Sequence, residues 1–193
     1  VGYVDQVEMY PMDFEEFCWA MGLAESVWSM ACDAAGAGEP LPDFLYDRLL
    51  GLFHRYMMVG GMPDAVSAFV ESGNIDRVRA VHGNLHALYR QDITKYAPEG
   101  LRLVVRDIYD LIPSELGSKN RRFKLSSIQG VKRFAQVADH FLWLAKAGVA
   151  LPACNVAAPT SPLLFGEQRS LFKLFYLDTG MLMSSYPKGV AQA

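Results

Sequence analysis

The sequence predicts a mainly α-helical protein in two parts, a helical bundle over residues 1–100 and a smaller module over 101–193 that closes with a small β-hairpin. Three observations predict it. Between Asp43 and Ile112 the apolar residues recur at three- and four-residue intervals, the period of helices with one buried face. Glycine and proline punctuate that period at helix-length distances. After Gly117 the pattern changes, and two apolar, β-prone runs follow the last helical stretch.

Composition bounds the answer first. At 193 residues, with 51% hydrophobic and 20% charged, the chain buries a real core and falls far from the balance of a disordered tail. Two small domains suit the length better than one. Cys18, Cys32 and Cys154 are odd in number and lack CxxC spacing, which argues against a disulfide framework or zinc finger and for a reducing cytoplasm. The longest apolar runs, such as Phe141-Leu142-Trp143-Leu144-Ala145, fall short of the ~18 residues that cross a bilayer. No membrane partner is expected. The opening has no basic region followed by an apolar run, so it does not read as a secretory signal. It begins with Val1 inside an alternating pattern, Val1, Tyr3, Val4, Val7 and Met9, as though a strand had been cut, and the start reads as truncated.

The elements follow in order. Residues 1–10 read as a short extended segment ended by Pro11, which biases Tyr10 away from helix. Asp13 with Glu16 three residues on is a capping box, opening a helix with Phe14, Phe17 and Met21 near one face. Gly36, Gly38, Pro40 and Pro42 mark a loop. From Asp43 the stripe Leu45, Leu49, Leu52, Phe53 and Tyr56 gives a helix that Gly60-Gly61 ends, and Pro63 opens a short helix that stops at Gly73. Asn74 caps the next, striped by Ile75, Val78, Val81, Leu85, Leu88 and Tyr89, reaching about Tyr96 before Pro98. Another amphipathic stretch carries Leu101, Val104, Val105, Ile108, Leu111 and Ile112. Beyond Gly117 the spacing predicts a short turn near 125–129, a strong helix over 131–146 with Gly148 past its end, and strands over 149–157 and 171–177 joined by a loop. Helix, short helix, helix and hairpin is the layout of a winged-helix domain.

Several residues invite a chemical reading. Lys119, Arg121, Arg122, Lys124, Lys132 and Arg133 fall together with no acidic residue between Glu115 and Asp139, so residues 116–138 carry +6 and subtraction from the net −3 leaves −9 elsewhere. In a winged helix Lys132 and Arg133 would open the third helix, near the phosphates of a bound duplex. The alternatives are a solvated face or a protein-docking surface, and no base-reading set is identifiable. His82 and His86 share a helical face, but Gly83 stands where HExxH needs its glutamate and no third ligand is evident, so surface histidines and no metal are expected. Trp19, Trp28 and Trp143 fit core packing better than base stacking. No GxxxxGK[ST] occurs, so no ATP or Mg is expected on this chain and no catalytic residue is assigned.

The run Val7-Glu8-Met9-Tyr10-Pro11-Met12-Asp13-Phe14-Glu15-Glu16-Phe17 resembles the segment that leaves the core of bacterial and archaeal AAA-superfamily P-loop ATPases. Tyr56-Met57-Met58-Val59-Gly60-Gly61-Met62-Pro63 resembles that family's glycine-glycine-x-proline motif, and Leu88-Tyr89-Arg90-Gln91-Asp92-Ile93-Thr94-Lys95-Tyr96 a helix two elements later. Ile112-Pro113-Ser114-Glu115-Leu116 and Phe172-Lys173-Leu174-Phe175-Tyr176-Leu177-Asp178-Thr179-Gly180 resemble its winged-helix region of unknown function. The resemblance covers nearly the whole chain. It implies an ATPase core upstream that holds ATP and Mg, a helical lid over residues 1–100, a winged helix over 101–193, and often a restriction-endonuclease-like domain downstream. In that reading Gly60, Gly61 and Pro63 sit by the adenine, against a plain helix-to-helix turn as the alternative. Arg90 senses the nucleotide phosphates, against a surface pair with Asp92 or Glu99. The partners implied are the missing core, DNA and other proteins. The competing reading is a stand-alone winged-helix DNA-binding regulator, which a P-loop lysine upstream of Val1 would exclude.

Overall fold

The computed structural model describes residues 3, 5, 7–158 and 162–189. It is mainly helical with one antiparallel β-hairpin. The chain divides into two compact units, residues 1–81 with Asp178–Gly180, and residues 82–177 with 181–193.

In the first unit Asp13 and Glu16 form the expected reciprocal cap: the Glu16 N–H donates to Asp13 Oδ1 at 2.9 Å and the Asp13 N–H donates to the Glu16 carboxylate at 3.0 Å. That cap opens α1 (Phe14–Ala20), which stops where Gly22 takes φ +80° and Leu23 turns inward, so a separate α2 (Glu25–Ala37) follows. Gly36 lies inside α2, not in a loop, and the left-handed Gly38 caps it. The next two helices run as the sequence predicts, α3 (Asp43–Val59) to Gly60 and α4 (Pro63–Ser72) from Pro63 to the left-handed Gly73. Asn74 accepts the Asp76 N–H at 2.8 Å and so opens α5 (Ile75–Tyr96). Phe17, Val59, Ala65, Val66 and Val78 form one buried cluster, and Cys18, Leu23 and Leu52 a second one capped by Trp28. Trp19, against expectation, is 44% exposed.

The expected N-terminal strand is absent among the described residues, whose strands lie at Ala150–Val156 and Glu167–Tyr176; Val1 and Val4 lie outside the described residues. Tyr3, Val7 and Met9 are exposed, and Met12 is anchored by its N–H, which donates to the Gly61 carbonyl at 2.8 Å.

The division between the two compact units falls inside α5, after Val81. His86 and Arg90, on the second half of α5, bond to residues of α6 (Arg102–Gly117), which ties that half to the second unit. Pro113 lies within α6 and removes the N–H that would reach the Tyr109 carbonyl; the Tyr176 hydroxyl donates to that carbonyl instead, at 3.0 Å. After α6 come 3-10 turns at Leu125–Ser127 and Phe134–Gln136, then α7 (Ala138–Lys146), β1 (Ala150–Val156) and β2 (Glu167–Tyr176). Helix, 3-10 turns, helix and hairpin thus follow one another as the sequence predicts. Thr179–Ser184 forms a last short helix, α8.

Two expected boundaries move. The third helix begins at Ala138, not 131, because the Gln136 carboxamide oxygen accepts the N–H groups of Lys132 and Arg133, each at 2.9 Å, and holds a non-helical turn that Val137 leaves at φ −129°. The second strand begins at Glu167, not 171, because the ladder shifts register: Cys154 faces Phe172 while Asn155 faces Gln168. Phe123, Phe134, Phe141 and Phe172 pack as a ring cluster beneath the hairpin, Phe141 and Phe172 edge to face at 4.8 Å. Among the described residues no helix is long and apolar enough to cross a membrane.

Candidate functional site

Three segments far apart in sequence meet at the Gly60-Gly61 turn of the first unit. Gly60 adopts φ +72° and ψ −169°, open in practice to glycine alone, and a Cβ there would overlap the Asp178 carboxylate. The Gly61 N–H donates to Asp178 Oδ2 at 2.6 Å, and a Cβ on Gly61 would overlap the Met12 carbonyl. A Cβ on Gly180 would likewise overlap the Val59 carbonyl. The Tyr56 hydroxyl completes the clasp by donating to the Met12 carbonyl at 2.9 Å. Gly60 is therefore required by the Asp178 carboxylate, and Gly61 and Gly180 by close backbone approach. Pro63 serves as the first residue of α4. Asp178, 4% exposed, is the residue the sequence alone did not single out for this role.

The second unit builds a polar cluster between the second half of α5, α6 and the end of the chain. His82 and His86 are buried, not on the surface as expected, at 0% and 7% exposure. His86 Nε2 lies 3.0 Å from the Met181 carbonyl, which only accepts, so that nitrogen carries the proton and Nδ1 accepts from the Tyr109 hydroxyl at 2.6 Å. Burial holds the imidazole below its usual pKa, with Arg90 adding to the shift and the Met181 carbonyl and Asp110 opposing it. Burial also pushes the Tyr109 and Tyr176 hydroxyls above the ordinary phenol range, so both remain donors. Arg90 pairs with Asp110 at 2.8 Å, not with Asp92 or Glu99, and its guanidinium stands over the Tyr109 ring at 5.8 Å.

The six cations are all exposed. Among the described residues none of them forms an ion pair. Glu115 supports the first four: its buried carboxylate accepts the Lys124 N–H at 3.0 Å and the Ser127 hydroxyl at 2.5 Å, which fixes the chain that carries Lys119 to Lys124. Arg121 holds φ +51°, a left-handed conformation that costs a non-glycine residue about 1 kcal/mol. Lys132 and Arg133 precede the turn before α7 and do not stand on its first turn, a correction to the expected placement.

A mainly helical chain whose second unit carries one β-hairpin and an exposed basic run is the class that fold and site define. The chain belongs to the family described as a domain of unknown function (DUF8612), whose model matches residues 50–188. Comparison with curated proteins and with solved structures finds no match.

Proposed function

We propose that this chain is the non-catalytic C-terminal portion of an AAA-type ATPase, a helical lid followed by a winged-helix module, and that the module engages nucleic acid through the phosphate backbone. The observation that carries the nucleic-acid part is the run of six exposed cations, unopposed by any acidic residue from 116 to 138. A surface of that kind attracts a polyanion by releasing its condensed counterions and carries no sequence information. The ATPase part rests on resemblance, supported by the meeting of its motif segments at one clasp: Met12, Gly60-Gly61 and Asp178 to Gly180. In this reading ATP and Mg belong to the upstream core, and Gly60, Gly61 and Pro63 act by holding the lid together.

The test is duplex binding by fluorescence anisotropy, comparing the chain with a variant in which Lys119, Arg121, Arg122, Lys124, Lys132 and Arg133 are all glutamine. The chain should bind a duplex of about 20 base pairs at low salt with micromolar affinity, indifferent to sequence, and the variant should bind at least about 100-fold more weakly. Absence of binding by the folded chain at low salt contradicts the nucleic-acid reading and leaves protein docking as the use of this surface.

A further inference from the structure

Helix α3 is apolar over a wider arc than the first unit covers. Leu45, Leu52 and Val59 are buried, with Leu49 and Tyr56 packed beside them. Tyr46, Leu50, Phe53 and Met57 occupy the adjoining face, yet each is between 36% and 54% exposed. Steps of four, three and four residues set them in one line along the helix, about 16 Å long. We propose that a second copy of this chain docks along this line, the two α3 helices running antiparallel about a two-fold axis. The inference stands on the first unit and holds whether or not the basic run binds nucleic acid.

Shape selects the occupant. The spacing is that of the core positions of a two-helix seam, and a face that receives its own copy must be complementary to itself under two-fold rotation. The antiparallel register that sets Leu50 opposite Phe53 of the second copy also sets Tyr46 opposite its Met57. Every layer then joins one aromatic ring to one flexible aliphatic or thioether side chain, a contact that fills the layer and favours sulfur at a ring edge. A parallel pair would instead set Tyr46 on Tyr46 and Phe53 on Phe53. The Phe53 ring is already held by an edge-to-face contact with Phe14, centroids 5.4 Å apart, so it meets the second copy pre-organised.

Charge selects the same direction. Asp47 and His54 border the line on the side away from Leu49 and Tyr56, and both are exposed. In the antiparallel register Asp47 of each copy meets His54 of the other, and an imidazole N–H donates to a carboxylate twice across the axis. A parallel pair would face Asp47 with Asp47. Arg48 and Arg55 fall on the far side of the helix, outside the seam.

Sedimentation equilibrium of the full chain tests the proposal. Between about 5 and 200 µM it should show a reversible monomer–dimer equilibrium with a micromolar Kd, the strength a small interface supports. Leu50→Glu and Met57→Glu place a good helix former at exposed helical positions, so each should keep the helical circular dichroism while weakening dimerisation about tenfold or more. Direction is read by cross-linking in a Cys32→Ser, Cys154→Ser background, which leaves only the buried Cys18. Oxidation of a mixture of Tyr46→Cys and Met57→Cys chains should join unlike chains, as mass spectrometry reads, because like positions stand about 16 Å apart along the antiparallel seam. A monomer at every concentration overturns the proposal, whether the face then receives another protein or stays in water. A dimer that survives both glutamate variants, or a disulfide confined to like chains, overturns it as well.

Discussion

A single methyl group at Gly60 probes the clasp. Alanine there must both leave the glycine-only region of backbone space and push the Asp178 carboxylate off the Gly61 N–H. Gly60→Ala should cost about 2–4 kcal/mol in urea denaturation, and Asp178→Ala about 1–3 kcal/mol through the loss of a buried, charge-assisted bond. An alanine variant as stable as the parent contradicts the clasp. His86 predicts a pH dependence of definite sign. Its folded pKa is lowered, as is that of His140, so the unfolded chain binds these protons first: stability is fully present above the usual imidazole value of about 6.5 and is lost as pH falls through it. The groups that face His86 are Tyr109, Tyr176, Ser185, Arg90 and Asp110. Denaturation curves between about pH 7.5 and pH 5 should show this decline, with a shallower slope in His86→Gln; equal slopes contradict the assignment. Some of this was legible in the sequence. The glycine pair and its proline announce a tight turn by local chemistry, whereas Asp178 stands 117 residues from Gly61 and no local rule joins them. His86 falls one residue after Leu85 and four after His82, on the buried side of α5, yet the polarity of histidine argued for the surface.

At the scale of elements, Glu115 links α6 to the basic run. Glu115→Ala removes the acceptor for the Lys124 N–H and the Ser127 hydroxyl, and should lower stability by about 1–3 kcal/mol. Limited trypsin digestion should then cut faster between Lys119 and Lys124 than in the parent; unchanged cleavage there refutes the anchoring role. The helices whose ends the sequence locates well, α3, α4 and α5, are those stopped and started by Gly60, Pro63, Gly73 and Asn74, whose effects are local. The start of α7 depends on one carboxamide, Gln136, turning back on two N–H groups, and the start of β2 on a register shift against Cys154. Neither leaves a mark on periodicity. Apolar stripes also overstate burial, since Leu88 and Leu142 lie on them and are 53% and 50% exposed.

For the whole molecule, the mainly helical class and the hairpin were legible because the helical period runs to Lys146 and β-prone composition follows Gly148. The division inside α5 was not, since a continuous stripe from Ile75 to Tyr89 gives no sign that its two halves belong to different units. The charge partition is a property of the sequence alone, and it carries the central claim: +6 over residues 116–138 against −9 elsewhere. The most direct test is the salt dependence of duplex binding. If most of the six exposed cations meet phosphates, log K should fall with log salt at a slope of about −4 to −5, and Glu115→Ala should flatten it by loosening four of the six. A slope near zero, or one that survives replacement of the six cations, contradicts the account.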